Sequence, residues 1–349
     1  MLDLRTIRLG HIWSAADLSQ ISPHLNKIAF IVCHKDEPAK FLWRVLWYLP
    51  ADSPIIVVTN CPETEFDTLR AEVREHLPQH QHIRLIHQKD PCIADYLRRQ
   101  NVMHILGDDG RVVNGKGEGM YIGTLLAAAL GSARHVAFYD ADNHAPSTLL
   151  AYTLALARLF SLPRKTPLHN VRICWPSKPD MTHSEGTLHD NLGRCTRVVS
   201  PLFDRLIADW FGGQRPTVIS SNAGEQALTM TAARALRFAS GYAVETFHLI
   251  ELLFKGHQGK TVRVDQYLSQ TPFFHTKKDH EHINRMIASS LGAFMAFREH
   301  LPHDLLDKID WIEAEIGMTA RLPRLYPPIG ALDLATLDIR PYALAASRA

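Results

Sequence analysis

The stretch HVAFYDADN, residues 135–143, decides the fold that the sequence predicts. Four apolar residues precede two aspartates, Asp140 and Asp142, that are one residue apart. A short apolar run that ends in polar residues is typical of a buried parallel strand. Open α/β sheets bind ligands at the carboxyl ends of such strands, and alternate side chains of an extended chain point the same way. The two carboxylates therefore either converge on a divalent cation or belong to an aspartate-rich loop tip.

Predicted strands and helices alternate on both sides of this stretch. Residues 27–33, 55–59 and 82–87 are predicted strands, and each precedes a segment with apolar residues at helical spacing. Three such units in succession predict an α/β fold with a mostly parallel, Rossmann-like sheet flanked by helices. A further strand is predicted at 171–175, and the chain beyond it is mainly helical. Helices are expected at residues 196–210, 243–255, 279–300 and 305–316, and a strand at 262–268. The segment from residue 220 is expected to be a turn that leads into a helix ending at about residue 236.

Composition limits the classes of function. The 349 residues are 46% hydrophobic and 21% charged, which suits a globular protein with a large core. A net charge of +2 gives no reason to expect nucleic acid or an anionic membrane as a partner. The five cysteines form no CxxC pair, which argues against structural zinc and for a reducing compartment. Without a signal-peptide pattern or a membrane-length apolar run, we expect a soluble, cytoplasmic protein.

A lysine in a glycine-rich segment is the strongest candidate for a phosphate contact. Lys116 lies in NGKGEGM, residues 114–120, which we expect to form a turn before a helix at 121–130. Glycines allow close approach of the backbone to a ligand, and a helix N-terminus favours anions. The order of residues is not that of the P-loop of nucleoside triphosphatases. Lys116 is therefore either a phosphate ligand or an exposed lysine in a glycine turn.

Other polar residues are candidates for the same site. Asn60 and Asp90 follow predicted strands and would lie at the same edge of the sheet as Asp140. Glu225 and Glu245 each either orient a ligand or cap a helix. His275 is the best candidate for a third metal ligand, since it follows Pro-Phe-Phe in a predicted loop.

Two enzyme classes fit these residues. One is a nucleotide-sugar glycosyltransferase, in which a metal neutralises the departing diphosphate. The other is a phosphohydrolase whose first aspartate is a covalent nucleophile. The hydrolase expects its Asp-x-Asp after the first strand, whereas at least three strands precede it here, and this order favours the transferase. A nucleotide-binding protein without catalysis is a third alternative.

Over roughly residues 28–291, the sequence resembles the mannosyl-3-phosphoglycerate synthase family. GKGEGM and SGYAVE, at this spacing around DADN, make the resemblance specific. The segments that contribute are residues 34–38, 58–60, 87–91, 115–120, 140–143, 222–225, 239–245, 272–275 and 281–282.

This resemblance implies a GT-A glycosyltransferase fold, GDP-mannose as donor, 3-phosphoglycerate as acceptor, Mg²⁺ or Mn²⁺ as the metal, and retention of anomeric configuration. The product would be mannosyl-3-phosphoglycerate, a precursor of the compatible solute mannosylglycerate. By position, Asp142 and His275 would ligate the metal, with Asp140 near the metal or the ribose. The residues implied to line the nucleotide and diphosphate pocket are Asn60, Gln88, Asp90, Lys116 and Ala141. Those implied to act in catalysis are Asp140, Asp142, Lys116 and Glu245.

The sequence departs from the family pattern on the acceptor side. The stretch after Trp175 lacks the family's basic residues, which leaves Lys178, Arg194 and Arg197 to bind an acidic acceptor. Another small acidic acceptor, or another nucleotide sugar, therefore stays an alternative. Residues 176–194 are polar and are expected to form a long surface loop or lid.

We expect three parts within one catalytic unit. Residues 1–26 would be an N-terminal segment, residues 27–220 the nucleotide-sugar-binding region, and residues 221–349 the acceptor-side, helical region. The oligomeric state is left open by the sequence, with a homodimer as one option.

Overall fold

The structure is a computed structural model that describes residues 1–9, 15–35, 37–80, 82–143, 147–162, 166–175, 193–212, 217–271, 273 and 279–344. Its strands are β1 (Leu2–Ile7), β2 (Ile28–His34), β3 (Ile55–Thr59), β4 (Ile83–His87), β5 (His135–Asp140), β6 (Leu168–Cys174), β7 (Gln226–Thr229), β8 (Phe238–Ala239), β9 (Val262–Leu268) and β10 (Leu325–Tyr326). Its α-helices are α1 (Ala15–Leu25), α2 (Ala39–Trp47), α3 (Phe66–His76), α4 (Pro91–Arg99), α5 (Lys116–Leu130), α6 (Ser147–Ser161), α7 (Arg194–Phe211), α8 (Met230–Ala235), α9 (Ala243–His257), α10 (His280–Met295) and α11 (His303–Ile316).

Eight of these strands form one sheet in the order β1-β9-β6-β7-β5-β2-β3-β4. β7 runs antiparallel to both of its neighbours, and the other pairs are parallel. The predicted α/β fold with a mostly parallel sheet is therefore confirmed. β8 and β10 form a separate two-stranded antiparallel ribbon.

Helices cover both faces of the large sheet. Along β2, Ile28, Phe30 and Val32 pack into one core, while Ala29 and Ile31 pack into the other. The first core contains residues of α1, α2, α3 and α6, and the second those of α4, α5, α7, α9, α10 and α11. Strands that are buried on both faces explain why β2, β3 and β5 are continuous apolar runs in the sequence.

Three local predictions need correction. The glycine-rich segment expected as a turn is the first turn of α5, which begins at Lys116 rather than at residue 121. β7 was expected to belong to a turn and a helix, but it is a four-residue strand. β1 and α1 both lie in residues 1–26, for which no element was predicted.

The large sheet takes strands from all three parts of the predicted division. β1 belongs to the first part and β7 and β9 to the third, yet they share the sheet with β2–β6. The boundaries at 26 and 220 therefore stay predictions. Residues 176–192 of the expected loop, and His275, lie outside the described residues. Within the described part of the chain, no helix combines the length and the apolar character that crossing a membrane requires.

Candidate active site

The predicted ligand-binding edge is where the parallel strands β2, β3, β4 and β5 end. The Asn60 N–H donates to the His34 carbonyl at 2.8 Å, and the Gln88 N–H donates to the Thr59 carbonyl at 2.7 Å. These backbone hydrogen bonds place Asn60 and Gln88 at the carboxyl edge of the sheet. Asp140 is the last residue of β5 and pairs in register with Cys33 of β2. Asn60 and Asp140 therefore share one edge, as expected, and Gln88 lies there too. Asp90 follows three residues after the end of β4, at the start of α4.

Lys116 contacts two carboxylates at this edge of the sheet. Its Nζ lies 2.6 Å from Asp140 Oδ1 and 2.6 Å from Glu245 Oε1. The three residues come from the N-terminus of α5, the end of β5 and the first turn of α9. Lys116 and Glu245 are 129 positions apart in the sequence. The structure thus brings together three of the four residues that were predicted to act in catalysis.

Burial and charge act in opposite directions on Lys116. Its side chain is only 12% exposed, and the Glu245 side chain is 4% exposed. Burial alone would lower the pKa of the ammonium, but Asp140 and Glu245 outweigh burial and hold this pKa well above its usual value. Lys116 is therefore a charged, oriented ammonium and not an exposed lysine in a glycine turn.

The backbone at Gly224 lies directly against this ion pair. A Cβ at this position would lie 2.5 Å from Asp140 Oδ2 and 3.0 Å from Lys116 Nζ. Any larger residue would push the carboxylate or the ammonium out of place. This requirement explains the glycine in Asn-Ala-Gly-Glu, which the sequence alone marked only as part of a resemblance.

The residues around Asp142 fit a divalent cation by their chemistry. Asp142 is half-buried, Ala141 is buried, and both lie in a turn after β5. The extended-chain argument for two parallel carboxylates is therefore wrong at Asp142, because this residue lies in a turn two residues after the end of β5. Among the described residues no three His, Cys, Asp or Glu side chains cluster as a metal site. Mg²⁺ is commonly held by one or two carboxylates together with phosphate oxygens and water, and Asp140 and Asp142 fit that pattern.

Two of the predicted nucleotide ligands have structural contacts of their own. The Gln88 side chain is buried, and its Nε2 donates to the Val113 carbonyl at 2.6 Å. Asp90 is the N-cap of α4, because its Oδ1 accepts from the Cys92 and Ile93 N–H groups. The same oxygen accepts from the Tyr342 hydroxyl at 3.0 Å. A nucleotide contact by Gln88 or Asp90 stays a prediction.

Sequence reasoning missed Cys33, which lies at the end of β2 beside the ion pair. Burial raises the pKa of its thiol to about 12, with Lys116 acting in the opposite direction. Burial therefore disfavours the thiolate form of Cys33, which is the nucleophilic form. No property of the sequence marks Cys33, since only the pairing of β2 with β5 brings it next to Asp140.

A buried arginine holds two backbone segments next to the site in place. Arg172, on β6, is fully buried and donates to the backbone carbonyls of Ser220, Ser221 and Glu245 at 2.8–3.2 Å. Its remaining N–H groups donate to the side chains of Asn170 and Gln226. Burial lowers the pKa of this guanidinium to about 10, and Glu245 opposes the effect. Arg172 fixes the segment before Gly224 and the start of α9, and it is too deep to contact an acceptor.

The mostly parallel sheet, with an acidic strand end and a buried lysine at its ligand-binding edge, has the architecture of a GT-A glycosyltransferase. The solved structures that share this fold include two synthases. The mannosyl-3-phosphoglycerate synthase from Rubrobacter xylanophilus matches with a TM-score of 0.58 at 16% identity, covering 93% of this chain and 95% of that one. The glucosyl-3-phosphoglycerate synthase from Mycobacterium tuberculosis in complex with Mn²⁺ and UDP-glucose matches with a TM-score of 0.54 at 16% identity, covering 94% and 98%.

The sequence comparisons define the family more narrowly. The family model described as mannosyl-3-phosphoglycerate synthase (osmo_MPGsynth) matches residues 11–339. The mannosyl-3-phosphoglycerate synthase of Pyrococcus furiosus is 31% identical over 332 residues, covering 89% of this chain and 83% of the relative. That of Aeropyrum pernix is 29% identical over 334 residues, covering 90% and 84%. The chain belongs to the mannosyl-3-phosphoglycerate synthase family, which confirms the predicted resemblance and decides between the two enzyme classes in favour of the glycosyltransferase.

Proposed function

We propose that the enzyme transfers mannose from GDP-mannose to 3-phosphoglycerate with retention of anomeric configuration. The product is mannosyl-3-phosphoglycerate, which serves the synthesis of mannosylglycerate. Family membership supports this reaction, and the relatives from Pyrococcus furiosus and Aeropyrum pernix bear its name. The observation that carries the proposal is the Lys116 ammonium, held by Asp140 and Glu245 at the carboxyl edge of the sheet.

In this proposal, Lys116 binds the diphosphate of the donor. The bond between the mannose C1 and the β-phosphate oxygen breaks, and negative charge develops on the departing GDP. An ammonium that is fixed before the reaction stabilises that charge without reorganisation. Glu245, the second carboxylate partner of Lys116, keeps the ammonium charged and in position if Asp140 binds the metal. The acceptor hydroxyl forms the new bond to C1, and its proton goes to the departing phosphate.

A divalent metal would be held by Asp140 and Asp142, with His275 as the expected third ligand. Mg²⁺ or Mn²⁺ would neutralise the diphosphate, and the solved Mycobacterium tuberculosis relative contains Mn²⁺ together with its nucleotide sugar. Asn60, Gln88, Asp90 and Ala141 are proposed to line the nucleotide pocket. The Gln88 and Asp90 side chains make hydrogen bonds within the protein, whereas the described contacts at this edge include none for the Asn60 side chain.

Cations at the start of α7 are proposed to bind the acidic acceptor. α7 begins at Arg194, and Arg197 follows on an exposed position of its first turn. Arginine binds carboxylate and phosphate through two parallel hydrogen bonds. A helix N-terminus adds a favourable field for the same anions. A homodimer is not required by any part of this proposal.

Product analysis tests the proposed reaction. The full-length protein is incubated with Mg²⁺, one donor from a panel of GDP-mannose, GDP-glucose, UDP-glucose and UDP-mannose, and 3-phosphoglycerate. Mass spectrometry should detect a hexosyl-3-phosphoglycerate with GDP-mannose and far less with the others. Release of GDP only when 3-phosphoglycerate is replaced by glycerate or another small acid would contradict the proposed acceptor. Formation of product from UDP-glucose alone would contradict the proposed donor.

A further inference from the structure

A second buried carboxylate, Glu118, lies in the first turn of α5 two residues from Lys116. It is 1% exposed, and burial raises the pKa of its carboxyl group. Both of its oxygens accept hydrogen bonds from uncharged groups. The Tyr326 hydroxyl donates to Oε1 at 2.5 Å, and the Gly241 N–H donates to Oε2 at 3.1 Å. Because desolvation of a carboxylate is costly, a side chain in this position calls for a compensating role.

Glu118 is part of a clasp, which we define as Gly117, Glu118, Gly241 and Tyr326. Two hydrogen bonds of opposite direction join the two turns of the clasp. The Gly117 N–H donates to the Gly241 carbonyl at 3.0 Å, and the Gly241 N–H donates back to Glu118. A Cβ on Gly117 would overlap with the Ala239 carbonyl oxygen, so this closeness requires glycine. The clasp therefore fixes the first turn of α5 against the turn that precedes α9.

The carboxyl-terminal part of the chain completes the clasp. β10 pairs with β8, which places Tyr326 opposite Phe238 at the edge of the same turn. Tyr326 is fully buried, and its hydroxyl contacts Glu118 across 208 positions of sequence. The Arg324 N–H also donates to the Ser240 hydroxyl at 3.0 Å. Three distant segments thus meet at one carboxylate.

The clasp joins the two helices whose first turns hold the ion pair. Lys116 precedes Gly117 directly, and Glu245 follows Gly241 by four residues, so neither can move far while the clasp is closed. We propose that Glu118 is a positioning residue that holds Lys116 within ion-pair distance of Glu245 and so aims the ammonium at the donor diphosphate. This inference rests on the proposed function, because it requires Lys116 to bind the diphosphate. Glu118 itself touches no substrate.

A double-mutant cycle separates positioning from general stability. The affinity for GDP-mannose in the presence of Mg²⁺ is measured by calorimetry for Glu118→Met, Lys116→Met and the double variant. We expect Lys116→Met to weaken binding at least tenfold and Glu118→Met to weaken it at least fivefold. The double variant should bind within twofold of Lys116→Met, because Glu118 acts only through Lys116. Glu118→Gln should bind nearly as the wild type, since its amide oxygen still accepts from Gly241.

Two further variants control for effects of substitution on folding. Tyr326→Phe removes one hydrogen bond of the clasp and should weaken binding two- to threefold. Glu251→Met, on the same helix α9, removes a buried carboxylate that pairs with Arg237, and it should leave donor affinity within twofold of the wild type. If Glu118→Met leaves affinity unchanged, or if its effect persists in full without Lys116, the positioning role is wrong while the proposed function stands. If Lys116→Met binds GDP-mannose normally, both the diphosphate contact and the positioning role are wrong.

Discussion

A buried histidine on α9 predicts how the stability of the enzyme depends on pH. His248 is fully buried between Phe238 and Phe138, with ring centroids at 4.4 and 6.4 Å. Within the described part of the chain, neither of its ring nitrogens has a hydrogen-bond partner. Burial lowers the pKa of His248 from 6.5 to about 3, and the Arg172 guanidinium acts in the same direction. The native protein therefore keeps this ring neutral at pH values where the unfolded chain protonates it.

The sign and size of the effect follow from linkage. Between pH 6.5 and the native pKa the unfolded state binds the additional proton, so the free energy of unfolding falls as the pH falls. A solution at pH 5 is about 1.5 pH units below the pKa of the unfolded state, 6.5. With a slope of about 1.4 kcal/mol per pH unit, the free energy of unfolding is then lower by about 2 kcal/mol. His248→Leu removes this loss and also removes a buried polar ring without partners. The free energy of unfolding of the variant should equal or exceed that of the wild type at pH 7.5. By pH 5 the difference in favour of the variant should grow by about 2 kcal/mol.

Urea unfolding followed by tryptophan fluorescence at pH 7.5, 6 and 5 measures this difference. The burial of His135, which lowers its pKa to about 4, is the same in both proteins, so the comparison isolates His248. The exposed His303, at the start of α11, offers a matched control, and His303→Leu should give a pH profile parallel to that of the wild type. A His248→Leu profile that also runs parallel to the wild type would show that the pKa of His248 is not lowered in the folded state.

Substitutions at three positions of the candidate site have expected outcomes of their own. Gly224→Ala should keep the melting temperature within a few degrees but weaken GDP-mannose binding at least tenfold in calorimetry, because its Cβ would lie 2.5 Å from Asp140; normal affinity would show that the ion pair tolerates displacement. Lys116→Met should weaken donor binding by about 1.5–3 kcal/mol, roughly 10- to 150-fold, through loss of charge-assisted hydrogen bonds. In the same assay Lys116→Arg should retain part of the affinity. Unchanged donor affinity in Lys116→Met would leave Lys116 with a purely structural role. His275→Ala should lower Mn²⁺ affinity at least tenfold in a metal titration, and unchanged affinity would remove His275 from the ligand set.

The sequence predicted those parts of the fold that depend on local pattern. β3 and β9 have the predicted bounds because apolar or alternating runs end there at polar residues or proline. β1 was missed although Leu2-Asp3-Leu4-Arg5 alternates as an edge strand should. β7 was missed for a different reason: four residues, Gln-Ala-Leu-Thr, are too few to show a period, and only pairing with β5 and β6 makes them a strand.

The same distinction holds for the site. Asp140 and Lys116 were found because strand ends and glycine-rich helix starts have a local signature. The start of α5 was misplaced because glycine disfavours helix interiors, and here Gly117 is required by contact with Ala239, which is distant in the sequence. The places of Glu118, Cys33 and Gly224 around the ion pair were not predicted, because they depend on contacts with β2, β5, β10 and the turn before α9. Tertiary pairing of this kind has no periodic trace in a single sequence.

In the proposed reaction, the end of β5 binds a metal that couples to the diphosphate of the donor, and a binding titration with and without the metal tests this step. The affinity for GDP-mannose is measured by calorimetry with and without Mg²⁺, for the wild type and for Asp142→Asn, with the exposed Asp209→Asn as the matched control. Mg²⁺ should strengthen binding at least tenfold in the wild type and in Asp209→Asn, and less than twofold in Asp142→Asn. A full metal dependence in Asp142→Asn would contradict the proposed metal site.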